Sequence, residues 1–141
     1  MTIQIEARVD DSPGVHHATV TTNGLSRDLP IAPRATGSGS SVNGGELLCL
    51  ALATCYCNDI YREAALRGIE VLRVVVHVDA EFGTSGAPAA AVRYRADVAA
   101  KATESDIRAL MVHTDGVAEI QNTLRHGVAA QFAVGDIVAS T

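Results

Sequence analysis

All three cysteines of this chain fall in one stretch, 48-LCLALATCYCND-59, at positions 49, 55 and 57. A cysteine can act as a nucleophile, ligate a metal, or pack as a small hydrophobe, and its surroundings decide which. On a helix, residues three and four apart share a face. The face of Cys55 then carries Leu48, Ala51 and Leu52 before it, and Asn58, Asp59 and Arg62 after it. The face of Cys57 carries Leu50, Ala53, Thr54, Ile60, Tyr61 and Ala64, so Cys57 reads as an inert core thiol. Cys55 and Cys57 point to opposite sides, and Cys49 lies about 9 Å from Cys55 along the axis, so neither pair bridges without unwinding. The same geometry denies Cys-x-Cys a shared metal ion, and no Cys-x-x-Cys or paired-histidine motif is present, so no metal and no cofactor are expected. His16 and His17 sit on an expected strand with their rings facing opposite ways.

Cys55 would lie about three turns inside its helix, too deep for the N-terminal dipole to lower its pKa. Apolar burial raises a thiol pKa and Asp59, four residues on, raises it further. Arg62 is the cation that could compensate, unless it pairs with Asp59 or Glu63 on a solvated face. From the residues alone, a reactive Cys55 and a buried, inert Cys55 both stand.

The elements that position these residues follow from periodicity. Ile3 to Val9 alternates, Val15 to Thr22 is β-branched, and Asn23-Gly24 turns the chain into a third strand near Ser26 to Ile31. Pro33 to Gly45 is a Gly/Ser loop without the ending of a phosphate-binding loop. Asn43 and Glu46 form a variant capping box that opens a helix reaching about Arg67, with Gly68 as its left-handed stop. The first half of that helix, Leu47 to Cys57, is apolar on every side and must be covered all round, by a wrapping sheet or by the same helix of a second copy. Val71 to Phe82 and Val92 to Ala100 alternate as a hairpin with one wet face. A helix starts at Thr103 to Asp106, is interrupted at Thr114-Asp115-Gly116, and resumes to about Arg125. Val128 to Ser140 reads as a last strand. The order β-β-β-α-β-β-α-α-β places the chain in the α+β class, as one domain over residues 1–141.

The 141 residues carry a formal net charge of −5, and no basic run interleaves with aromatics, so nucleic acid is not an expected partner. The N-terminal residues lack the basic and apolar regions of a signal peptide, and the longest apolar run is about half of a membrane span. A cytoplasmic protein with no membrane partner is expected, and three cysteines do not make a secreted disulfide framework.

The stretch 43-NGGELLCLALATCYCNDIYREAALRGI-69 resembles the OsmC/Ohr family of thiol-dependent, peroxiredoxin-like peroxidases. Glu46-Leu47-Leu48, Ala51, Ala53, Cys55 and Arg67-Gly68-Ile69 fall in register with the family's pattern, and 118-AEIQNTLRHGV-128 resembles its second-cysteine segment. The resemblance implies antiparallel sheets around a long central helix, an intertwined homodimer, and a site at the subunit interface. Cys55 would match the cysteine that attacks a hydroperoxide to give a sulfenic acid. The second cysteine falls on Ala118, the family's Pro-Glu on Gly44-Gly45, and the early arginine has no counterpart in Val15-His16-His17. An external thiol would then resolve the sulfenic acid, unless Cys49 or Cys57 reached it. Glu46, Cys57, Asn58, Asp59 and Arg62 are the supporting candidates around Cys55. Two other readings stand beside this one. The first is a non-catalytic dimer of the same fold holding a small apolar or electrophilic ligand. The second is a helix-wrapping thioesterase with Asp59 or Glu63 as base.

Overall fold

The computed structural model describes residues 2–140. The chain packs as two compact units, one up to Leu50 and one from Ala51 on.

In the first unit, β1 (Ile5–Ser12), β2 (Val15–Thr22) and β3 (Leu25–Leu29) form an antiparallel meander. The β2–β3 turn places both Asn23 (φ 47°) and Gly24 (φ 81°) in the left-handed region, as a two-residue hairpin turn matching strand twist requires. The Asn23 side chain also accepts from the backbone N–H of Gln4 at 2.9 Å. His16 bonds Asp11 of β1 at 2.8 Å and His17 bonds Asp28 of β3 at 3.1 Å, so the two rings do take different neighbours. The Gly/Ser loop is held by Arg34 N–H to the Gly39 carbonyl and by Gly39 N–H to the Asp11 carboxylate.

The long helix α1 spans Gly44–Leu66. Its start is the expected reciprocal cap: Glu46 N–H donates to Asn43 Oδ1 at 2.8 Å, and Asn43 N–H donates to Glu46 Oε1 at 2.9 Å. Its end is closed by Gly68 (φ 66°), with Ile69 N–H returning to the Ala64 carbonyl.

In the second unit, β4 (Glu70–Phe82) and β5 (Ala89–Lys101) pair as a long antiparallel hairpin, with Val74 opposite Val98 and Val76 opposite Ala96. That face packs on Tyr56, Ile60 and Ala64 of α1 and on Leu110 of α2 (Glu104–Val117). Burying Ile60 and Leu110 completely removes two large apolar side chains from water, worth about 2 kcal/mol each. Tyr56 crosses the core edge-on to Tyr94 with ring centroids 5.4 Å apart, and its hydroxyl donates to the Met111 carbonyl. The short helix α3 spans Glu119–His126.

Two expectations about elements are corrected. The helix α2 runs unbroken through Thr114-Asp115-Gly116, because Thr114 is fully buried and its hydroxyl returns to the Leu110 carbonyl. That packing outweighs the ~1 kcal/mol a helical glycine costs. The break comes instead at Ala118, where the backbone turns extended. Residues 128–140 form no strand, since no strand edge among the described residues bonds to them, and Phe132, Ile137 and Val138 stand out in solvent. In the apolar first half of α1 the chain's own sheets leave Leu50 60% exposed.

Candidate functional site

Cys55 sits half-buried in mid-α1, where the helix passes the start of α3. The cap residue of α3 is Ala118, which offers no side-chain acceptor to the first turn. The backbone N–H of Ile120, in that first turn, favours the ionised form of the Cys55 thiol. The thiol in turn donates toward two carboxylates. Asp59 Oδ2, one turn on in α1, lies at 3.4 Å, and Glu119 Oε2, the first residue of α3, at 3.6 Å.

Arg62 does not compensate the sulfur. Its Nη1 bonds Asp59 Oδ1 at 3.1 Å and Glu119 Oε1 at 3.0 Å, while its Nε bonds Glu63 Oε2 at 2.9 Å. Glu63 completes the chain with His113 Nε2 at 2.7 Å. Each of Asp59 and Glu119 therefore gives one oxygen to the guanidinium and the other to the thiol.

The electrostatics follow from this arrangement. Burial pushes the Cys55 thiol up to about 11, the Ile120 N–H opposes that, and the charges of Asp59 and Glu119 add to it. Near neutral pH the sulfur is protonated. Burial, with the Glu119 carboxylate as a bonding partner, raises Asp59 to about 6, against the pull of Arg62. The same bond from Asp59 holds Glu119 below its usual value. The Arg62 and His113 bonds hold Glu63 low. Of the two carboxyls, Asp59 is the one that takes up a proton first as pH falls.

Of the residues singled out from sequence, Cys55, Asp59 and Arg62 come together. Asn58 is exposed and lines, with Cys57, Ala53, Thr54, Val74 and Val76, a separate hollow of about 250 Å³. Cys57 is therefore half-exposed at a groove and not sealed in the core. The Glu46 carboxylate is committed to the Asn43 cap. Asp59 and Glu63 do not lie on a solvated face: Asp59 is 6% exposed and Glu63 is buried beside Arg62 and His113. Asp59 and Glu63, the base candidates of the thioesterase reading, both pair with Arg62.

Sequence reasoning missed Glu119, Gln121 and His113. The first two lie one and three residues past Ala118, inside the segment singled out by resemblance, so the segment carried the signal and the residues did not. Gln121 is almost fully buried and donates from its amide to the Leu52 carbonyl, one turn before Cys55. His113 had no sequence signal at all. A sulfur and two carboxylate oxygens within 4.8 Å of one another make a compact donor set, but Arg62 already bonds both carboxylates, which leaves a cation to compete with a guanidinium.

A family model for OsmC-like proteins matches residues 37–132. No curated protein sequence matches the chain. Among solved structures, an OsmC-like protein from Mycoplasma pneumoniae is similar at 16% identity and a TM-score of 0.63, over 90% of this chain and 89% of that one. An OsmC-like protein of unknown function from Vibrio cholerae is similar at 16% identity and a TM-score of 0.59, over 87% of this chain and 94% of that one. An organic hydroperoxide resistance protein from Legionella pneumophila is similar at 20% identity and a TM-score of 0.52, over 86% and 89%. At these identities the likeness concerns the α+β fold, with its antiparallel sheets and three helices.

Proposed function

Because the chain belongs to the OsmC-like protein family, we propose that it is a thiol-dependent reductase of organic hydroperoxides that attacks through Cys55. The observation that carries this reading is the setting of the thiol. It is the one cysteine of three whose sulfur meets carboxylates able to take its proton. The name of the Legionella protein supports hydroperoxides as the substrate class. Position 118 is alanine, so an external thiol resolves the sulfenic acid. A homodimer fits the exposed Leu50 face of α1 and the apolar residues of the segment 128–140, which a second copy would cover. A cytoplasmic setting fits three free thiols, and no helix among the described residues is long and apolar enough to cross a membrane.

Hydroperoxide consumption with dithiothreitol as reductant tests the reading. Wild type is expected to turn over and Cys55→Ser to fall to the buffer rate. Equal rates for the two would sink it. A second reading, a non-catalytic dimer holding a small apolar or electrophilic ligand, is favoured by the thiol's raised pKa of about 11, which leaves little thiolate at neutral pH. It requires that no sulfenic acid be trapped on Cys55 after peroxide, and trapping one rejects it.

A further inference from the structure

Proton transfer at Cys55 needs a partner, and the sequence offers none in the places the resemblance points to: residues 44 and 45 are both glycine and Glu46 is spent on a helix cap. The structure brings two carboxyls to the sulfur instead, from α1 and from α3. Both are clamped through their far oxygens by a single nitrogen of Arg62, which turns Asp59 Oδ2 and Glu119 Oε2 to the thiol.

We propose that Asp59 and Glu119 act together as the proton acceptor and donor for Cys55, with Arg62 as their positioning residue. This rests on the reading of Cys55 as the attacking thiol. The thiol proton passes to Asp59 Oδ2 or Glu119 Oε2 as sulfur attacks the outer oxygen of R–O–O–H. The S–O bond forms, the O–O bond breaks, and the leaving alkoxide takes the carboxyl proton to depart as ROH. Sulfur is oxidised by two electrons and the peroxide is reduced by two. The product Cys55–SOH keeps the outer hydroxyl. An external thiol then displaces it as water to form a mixed disulfide, and a second thiol releases Cys55. A carboxyl raised to about 6 takes and returns a proton near neutral pH more readily than an ordinary aspartate.

The test compares two reactions of the same sulfur. Alkylation by iodoacetamide expels iodide and needs no acid, whereas hydroperoxide reduction expels an alkoxide that does. In Asp59→Asn and Glu119→Gln, loss of negative charge lowers the thiol pKa, so alkylation at about pH 7.5 should speed up several-fold. Cumene hydroperoxide reduction should fall by about tenfold to a hundredfold in the double variant. Glu119 is largely exposed, so Glu119→Gln keeps the test usable if Asp59→Asn folds poorly. Arg62→Gln should move the pH profile of reduction upward, because both carboxyls lose the cation that favours their ionised form, and Arg62→Lys should restore it. Peroxide rates that rise with the alkylation rates, or stay at the wild-type level, overturn the proposal. A wild type that alkylates but consumes no hydroperoxide overturns the peroxidase reading itself. In that case the alkylation profile still decides the carboxyl contact: an unchanged thiol pKa in Asp59→Asn refutes it and a lowered one supports it.

Discussion

Asp59 is a carboxyl whose ionisation the fold resists. Its carboxyl is raised from 3.8 to about 6, first by burial, so folding favours its neutral form. The stability it lends is fully present below its unfolded value and is lost as pH rises through about 6. Asn cannot ionise, so the thermal midpoint of Asp59→Asn should fall less between about pH 5 and about pH 8 than that of wild type, by calorimetry at fixed salt. Parallel curves for the two proteins would refute this. The sequence carried half of this environment. Helical periodicity brought Asp59 and Arg62 to Cys55, because residues three and four apart share a face whatever the rest of the chain does. It could not supply Glu119, which is 64 residues away and arrives only through the packing of α3 on α1. Without Glu119, the pairing of Arg62 with its own helix neighbours looked like surface chemistry. With it, the same arginine is the clamp of a three-carboxylate cluster.

At the scale of elements, what was legible is what local chemistry dictates. The Asn-Gly turn, the reciprocal cap and the glycine stop each satisfy backbone groups within a few residues. Asn43→Ala should therefore cost about 1 kcal/mol in urea unfolding, while Glu46→Gln, which still accepts from Asn43, should cost much less and leave Cys55 alkylation unchanged. A drop in thiol reactivity in Glu46→Gln would return that residue to the site. Core truncation is a separate expectation: Leu110→Ala removes a side chain with no exposure and should cost about 3 kcal/mol. The elements that were misread depend on distant neighbours. Gly116 looked like a helix break, but burial of Thr114 in the preceding turn carries the helix past it. Val128 to Ser140 has the composition of a strand, yet a strand exists only against an edge.

For the whole molecule, that unpaired segment is the most informative failure. Apolar side chains at 132, 137 and 138 are 79–95% exposed, a cost a folded chain avoids unless something covers them. Light scattering should return twice the 14.7 kDa chain mass, and removal of residues 128–140 should shift it toward one. A full-length monomer at micromolar concentration would reject the dimer. A last consequence follows from the tyrosine pair of the core. The chain has no tryptophan and three tyrosines, and two of the three are Tyr56 and Tyr94, stacked edge-on where α1 meets β5. The Tyr94 hydroxyl donates to the Asp115 carboxylate, an acceptor that drains the excited state of a phenol. The folded protein should therefore be dim under ultraviolet excitation and brighten as it unfolds, giving an unlabelled optical gauge of whether its central packing is intact.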